Sequence, residues 1–266
     1  MRYSDLHIHS VFSDGSDPIE ALIRAAFERN LLSVGISDHS YTPFDTSYCM
    51  PASYIGTYLE TIRSLKEKWA DRIEVYAGLE LDGFSEVKDR QNYDYLIGDC
   101  HYLQREGCYF PIDETKEEQQ RIIDELFNGD ALSFAEAYFE TYTRCQEKNR
   151  PDILGHFDLP VLFGLIPQAH PRYRAAAVEA LKECLKLTPI LEVNTAAIAK
   201  QRKEPYPSCF LLREARRLGA KVLLSSDAHK KERLLQYFNE TVELLRGIGY
   251  REILVYQNHA FREEGI

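Results

Sequence analysis

At 266 residues the chain has room for one large domain, and an α/β barrel commonly uses about 250 residues as a single unit. Its 44% hydrophobic and 28% charged residues exclude a disordered or fibrous chain, and no apolar run approaches the roughly 18 residues of a membrane span. Lys and Arg number 32 against 42 Asp and Glu, and the resulting net charge of -10 opposes binding to the phosphate backbone of long nucleic acid.

Short apolar, β-rich runs alternate with longer amphipathic segments, the pattern of repeated βα units around a parallel sheet or barrel. The first strand is expected over residues 3–9 and carries Asp5-Leu6-His7-Ile8-His9. Strand side chains alternate, so His7 and His9 point the same way, spaced to grip one metal ion. The loop over residues 10–16 offers Asp14 beside Gly15. Asp-Gly is a common turn dipeptide, but the two neighbouring histidines favour a ligand. The first helix is expected to begin at Asp17-Pro18-Ile19-Glu20, with Asp17 as cap, Pro18 at the first helical position and Glu20 closing a capping box, and to run to about Asn30.

A second strand over 32–37 leads into Ser37-Asp38-His39, and the loop over 41–50 contains Asp45 and Tyr48. After a helix over 52–69, the third strand (73–79) stops just before Glu80, and the fourth (95–98) precedes Asp99-Cys100-His101. Neighbours on a strand face opposite ways, so Cys100 is expected to turn from the side that His101 occupies; Asp38 and Asp99 are also expected to face away from a metal. Residues 105–130, which include Thr115-Lys116-Glu117-Glu118-Gln119-Gln120, read as an inserted helical segment. No Pro/Gly/Ser-rich joint or internal repeat divides the chain, and ligand candidates lie on both sides of the insertion, so residues 1–266 read as one domain.

The remaining strands are expected over 153–157, containing His156-Phe157; 190–194, containing Glu192-Val193-Asn194; 222–226, followed by Asp227-Ala228-His229; and, less clearly, 252–256. Helices are expected over 133–148, 172–187, 208–218 and 232–248, with Gly219 as a stop. His170 and His259 lack a strand context and are read as solvated.

In a parallel barrel the loops at the carboxyl ends of the strands converge on one face, and candidate ligands fall at nearly every such end. Packing does not explain this placement, because cores avoid unpaired ionisable groups. Asp5 and Asp158 stand two residues from His7 and His156; they either orient those histidines or satisfy backbone donors. Glu192 and Asn194 either line the cavity or, for Glu192, pair with a basic group. The six cysteines lack Cys-x-x-Cys spacing, which indicates reduced thiols rather than a zinc ribbon or a disulfide framework. Met1-Arg2-Tyr3 passes into the first strand without a basic and apolar leader, and the expected location is the cytoplasm.

On Asp5-Leu6-His7-Ile8-His9-Ser10, Ser37-Asp38-His39-Ser40, Gly78-Leu79-Glu80, Gly155-His156-Phe157-Asp158, Glu192-Val193-Asn194-Thr195, Glu204-Pro205-Tyr206-Pro207-Ser208 and Ser226-Asp227-Ala228-His229, the chain resembles the PHP (polymerase and histidinol phosphatase) family. Within that family it is similar to the free-standing histidinol-phosphatases, over nearly its full length. The resemblance implies an α/β fold, a distorted (β/α)7 TIM-like barrel, with three divalent ions at the carboxyl ends of its strands. It implies a first ion on His7, His9, Glu80 and Asp227, a second on Glu80, His101 and His156, and a third on Asp14, His39 and His229. Imidazole and carboxylate without thiolate suit zinc, iron or manganese.

Three such ions opposed by Asp14, Glu80 and Asp227 would leave a positive pocket inside an acidic protein, suited to a small phosphomonoester. A water bridging the Glu80-linked pair would become a hydroxide placed to attack phosphorus, with Glu80, Asp227 and His229 as the catalytic side chains; the sequence does not name the general acid, for which metal-bound water stands beside Asp227 and His229. The implied reaction is hydrolysis of L-histidinol phosphate; another small phosphomonoester or short oligonucleotides are the alternatives. An amidohydrolase, which also opens with His-x-His, and a non-catalytic module fit less well, since Glu80 holds the bridging position and no ligand position is lost. The chain departs from the subfamily pattern in having Pro160-Val161-Leu162-Phe163 where a basic residue often follows the His156 motif. It has Ala196-Ala197-Ile198-Ala199 where a basic stretch often follows Asn194-Thr195. Lys200, Arg202 or Lys203 is expected to supply the phosphate contact, and Asp45 to face the alcohol portion. The sequence carries no signature of a particular oligomeric state.

Overall fold

The structure, a computed structural model, describes residues 2–266. Its first half contains β1 (Ser4–Asp5), α1 (Ile19–Glu28), β2 (Ser33–Ile36), α2 (Ile55–Trp69), β3 (Glu74–Asp82), β4 (Tyr95–Asp99), β5 (Tyr102–Arg105), β6 (Cys108–Pro111), α3 (Lys116–Phe127) and α4 (Ala131–Asn149). The second half continues with β7 (Ile153–Leu154), α5 (Pro171–Leu185), β8 (Ile190–Asn194), the single-turn α6 (Ala196–Ala199), α7 (Cys209–Arg217), β9 (Lys221–Ser225), α8 (Phe238–Ile248), β10 (Glu252–Gln257) and β11 (Ala260–Gly265). The main sheet has the order β1-β2-β3-β4-β7-β8-β9-β10-β11, parallel throughout except for the β10–β11 hairpin.

The sheet curls until its two sides meet. Ile8 pairs with Ala228 just beyond the ends of β1 and β9, with the His9 N–H donating to the Ala228 carbonyl at 3.0 Å. Lower down, the Ser4 hydroxyl donates to the Tyr256 carbonyl and accepts from the Tyr256 N–H. The parallel strands β1–β4 and β7–β9 thus form the distorted α/β barrel that the sequence implies.

Alternation along the strands divides the barrel into an inside and an outside. Tyr76, Tyr95, Ile97, Leu223, Leu254 and Tyr256 pack with Leu6 in the interior, while Val75, Ala77, Leu79, Leu81 and Leu96 pack outward with Val34 and Ile36 against α1 and α2. Gly35 and Gly78 make the interior arrangement possible: a Cβ at either position would collide with the Tyr95 ring, whose hydroxyl donates to the Leu6 carbonyl. Farther round, α4, α5, α7 and α8 cover the other strands through Tyr138, Tyr142, Leu181, Leu211 and Leu245.

Several boundaries differ from the sequence expectations for local reasons. Asp17 does not cap α1; its carboxylate accepts from the Lys231 N–H at 2.9 Å, and Pro18 precedes the helix without a side-chain cap. The segment over 105–130 is not purely helical. It opens with the antiparallel β5–β6 hairpin, turned at Glu106-Gly107, both with positive φ, before Thr115 caps α3 through the Glu118 N–H. The last helix begins at Phe238 rather than near 232, because Leu235 and Tyr237 are left-handed and the loop is tied to the barrel by Gln236 donating to the Ser226 carbonyl. β11 was not foreseen; it pairs with β10 through a two-residue Asn258-His259 turn in which both residues have positive φ.

Candidate metal centre

Ligand candidates reach the carboxyl face from separate strands. His7 and His9 flank Ile8, Asp227 and His229 flank Ala228, and the Ile8–Ala228 pairing therefore holds four of them together. Asp227 adopts φ 49°, a left-handed conformation that non-glycine residues enter at a cost and that recurs at functional sites. His39 follows β2 and pairs with Glu80, which lies within β3 rather than beyond its end; His101 follows β4 and His156 follows β7.

Glu80 is the hub. Its Oε1 lies 2.8 Å from His156 Nε2, 3.2 Å from His7 Nε2 and 3.8 Å from His101 Nε2, and its Oε2 lies 2.7 Å from His39 Nδ1 and 3.3 Å from His9 Nε2. Asp227 Oδ1 is 3.2 Å from His9 Nε2, and Asp14 Oδ2 is 3.0 Å from His229 Nε2. The nine expected ligands come together in overlapping groups whose donor atoms lie within 4.8 Å of one another: His7, His9 and Asp227; His7, Glu80 and His156; His9, Asp14, His39 and His229; and His39, Glu80, Asp99 and His101. Several features differ from the expected sets: His39 also joins Glu80 and His101, and His156 groups with His7 and Glu80 rather than with His101. His9 also joins the Asp14 group, and Asp99 faces the cluster instead of turning away, because it shares the inward face of β4 with Tyr95 and Ile97.

Buried polar atoms are normally paired, yet here His7 Nε2, both ring nitrogens of His9, Glu80 Oε2, His101 Nδ1 and His156 Nδ1 have no hydrogen-bond partner. Converging ring nitrogens and carboxylate oxygens without hydrogen-bond partners fit divalent cations. Cys100 contributes nothing, since its thiol bonds to the Tyr102 carbonyl at 3.1 Å. Without ions the cluster is an array of compensating charges. Burial raises the proton affinity of Glu80 and Asp227, but His39 and His7 around the first, and His7, His9 and His229 around the second, pull both well below the usual carboxylate range. Burial, with His229 and His39 beside it, lowers His9 to about 4; burial opposes protonation of His229 too, but Asp14 and Asp227 lift it to about 9.

Glu192 resolves as the partner of a base. Its Oε1 lies 2.6 Å from His7 Nδ1 and accepts from the Ser225 hydroxyl at 2.5 Å, while its Oε2 accepts from the His156 N–H at 2.6 Å. That contact fixes the His7 tautomer so that Nε2 faces the centre. Glu192→Ala is expected to weaken divalent-metal binding by about 10–100-fold, measured by chelator competition. Unchanged affinity would show that Glu192 does not orient His7.

Asp5 and Asp158 serve backbone donors. The first accepts from the Ser226 N–H at 3.0 Å, and the second from the Ser208 N–H at 3.0 Å and the Ser208 hydroxyl. Asp38 is turned to the loop after β1, where it accepts from the Ser10 and Ser13 N–H groups and hydroxyls. His170 caps α5 by accepting from the Arg172 N–H, and His259 sits in the β10–β11 turn beside Asp94, away from the centre.

A cavity of about 240 Å³ opens above Glu80, His39, His101, His156, Asp227 and His229. Asp45, Tyr48, Tyr102, Asp113, Glu114 and Lys200 line its outer wall. Asp45 accepts from the Tyr102 hydroxyl at 2.6 Å. Arg202 is not at this cavity: its guanidinium donates to the Val161 carbonyl at 2.7 Å, lies over the Tyr206 ring and faces a separate cleft that it shares with Lys203. Asp113 and Glu114 were missed in the sequence because they belong to the segment after the β5–β6 hairpin, whose proximity to the barrel mouth no local pattern encodes.

Imidazoles and carboxylates gathered on the carboxyl face of a parallel barrel define a divalent-metal centre of the hydrolase kind. The chain belongs to the PHP domain family, whose sequence pattern matches residues 5–196. Over 259 residues it is 27% identical to a protein of Deinococcus radiodurans described as a "probable histidinol-phosphatase", with 94% of this chain and 95% of the relative covered. Among solved structures, the HisK protein of Listeria monocytogenes is similar with a TM-score of 0.78 at 20% identity, covering 89% of this chain and 99% of that one. The histidinol phosphate phosphatase of Lactococcus lactis, solved with zinc, L-histidinol and phosphate, is similar with a TM-score of 0.68 at 19% identity, covering 98% and 99%. No helix among the described residues is long and apolar enough to cross a membrane.

Proposed function

We propose that the chain, acting as one unit over residues 1–266, hydrolyses L-histidinol phosphate to L-histidinol and phosphate in the cytoplasm. Three divalent ions, zinc, iron or manganese, would be held by His7, His9, Glu80 and Asp227, by Glu80, His101 and His156, and by Asp14, His39 and His229. One observation carries the choice of substrate. The cavity has a floor of imidazoles and carboxylates suited to cations, and an outer wall on which Asp45, Asp113 and Glu114 outnumber Lys200, which suits a small molecule anionic at one end and cationic at the other. The similarity to histidinol-phosphatases over 94% of the chain supports the same reading. Six free cysteines fit a reducing compartment.

Bound divalent ions would activate water and neutralise charge on the phosphate oxygens. The protein's part is to arrange and to exclude. Glu80 stays ionised among five imidazoles and holds their nitrogens toward one point, while Glu192 sets the tautomer of His7. Asp227 and His229 line the cavity. Asp227, held ionised, would serve as a ligand, and the proton for the departing alkoxide would come from His229 or from water in the cavity. Lys200, the basic side chain on that wall, would steer the phosphate.

The test is phosphate release by metal-loaded protein from L-histidinol phosphate, a panel of other small phosphomonoesters, and short oligonucleotides. A strong preference for any other panel member would reassign the substrate. Lys200→Ala is expected to raise KM roughly tenfold with little change in kcat, as loss of one charged hydrogen bond would. Arg202→Ala should leave KM nearly unchanged; the reverse pattern would place the phosphate contact at Arg202.

A further inference from the structure

Asp99 stands apart from the other buried acids around the barrel. It is fully buried, and neither of its carboxylate oxygens has a hydrogen-bond partner. Asp5, Asp38, Asp158 and Glu192 are equally buried, but each accepts from backbone N–H or hydroxyl donors. A buried carboxylate without donors is strongly unfavourable unless a cation compensates it or a proton neutralises it, and burial does push the Asp99 carboxyl up.

Register makes its position harder to explain by packing alone. Asp99 pairs directly with Asp82 across β3 and β4, and like charges placed opposite each other destabilise a sheet. Asp82 is satisfied by the Phe84 N–H at 2.8 Å and the His101 N–H at 3.1 Å, so it has little capacity to relieve its neighbour. Asp99 Oδ1 lies 3.4 Å from His101 Nδ1, and a carboxylate oxygen of Asp99 falls within 4.8 Å of donor atoms on Glu80, His39 and His101.

We infer that Asp99 is a metal ligand in addition to the nine, sharing with Glu80 the ion held by His101. The inference rests on the metal centre proposed above. Such a ligand supplies an anionic oxygen to a group otherwise rich in imidazole, which shifts that position toward the harder end of the first-row ions. It also adds positive charge beside the Asp82–Asp99 pair, which otherwise has only the His101 ring, 3.5 and 3.4 Å from the two carboxylates.

The test compares the full-length parent with Asp99→Asn and Asp99→Ala. Metal content per chain is measured by elemental analysis, affinity by chelator competition with zinc and with manganese, and melting temperature with and without metal. Ligation predicts that one ion is lost or binds more than about 100-fold more weakly, beyond the roughly 10–100-fold effect of losing an outer partner. It also predicts that the rise in melting temperature on adding metal shrinks in both variants.

Parent-like metal content and affinity would overturn the inference, as would a loss confined to the outer-partner range. An equal drop in melting temperature with and without metal would overturn it too, by making Asp99 purely structural. Should the parent itself bind no divalent metal, the metal-centre reading fails rather than the role of Asp99 within it.

Discussion

Glu80→Gln is expected to lower phosphomonoester turnover by at least about 10³-fold, because several kcal/mol of electrostatic organisation depend on that one charge. Glutamine keeps the shape of the side chain but replaces an anionic oxygen with an NH₂ group directed at imidazole nitrogens. Five of them, on His7, His9, His39, His101 and His156, lie within 3.8 Å of the Glu80 carboxylate. Their lone pairs can converge on cations only if an anion lies among them. The variant should therefore also bind less metal, while circular dichroism and the exterior packing of Val75, Leu79 and Leu81 remain those of the parent. Turnover within tenfold of the parent, at full metal content, would remove Glu80 from its central place.

Removal of divalent metal by a chelator is expected to abolish activity and lower the melting temperature, with both restored by metal. Ions that bind only the folded chain stabilise it by RT ln(1 + [L]/Kd), about 4 kcal/mol at a thousandfold excess over Kd. The affinity should depend on pH in a definite direction. In the metal-free chain His229 holds its proton up to about pH 9, and Glu80, Glu192 and Asp227 raise His7 well above the ordinary histidine range against the opposing effect of burial. An ion must displace those protons, so binding strengthens as pH rises, by about tenfold per unit for each proton released, and the share due to His229 levels off above about pH 9. His9, already deprotonated above about 4, adds nothing to that slope at neutral pH. Competition titrations across this range check the sign; affinity that falls with rising pH would contradict the assignment of His229 as a ligand.

Much of the barrel and most of the cluster could be read from the sequence, because both depend on strand ends. The His-x-His and Asp-x-His spacings were legible as ligand pairs at strand ends, although β1 and β9 end before them and the Ile8–Ala228 bridge, with Asp227 in a left-handed conformation, sets their geometry. The misses have physical causes. Asp99 was misplaced although it stands two residues before His101, the spacing that puts two strand residues on one face. The β5–β6 hairpin was absorbed into a helical reading because a polar, Glu-rich stretch follows its Glu106-Gly107 turn. The β10–β11 turn uses Asn258-His259, in which histidine replaces the glycine that usually marks such a turn. Asp17 has the chemistry of a helix cap, but the Lys231 N–H, distant in sequence, takes its carboxylate. Arg202 sits in the expected basic stretch, yet the Val161 carbonyl and the Tyr206 ring hold it elsewhere.

The Ile8–Ala228 seam has a consequence for how the protein comes into being. A polypeptide leaving the ribosome amino end first exposes His7 and His9 well before Asp227 and His229, and carries them incomplete until that later segment emerges. Closing the cylinder and assembling the catalytic floor are thus a single event that waits for the segment after β9. Cellular cations would act there as a clasp that rewards only the finished product, leaving prematurely terminated fragments both inert and open along one side.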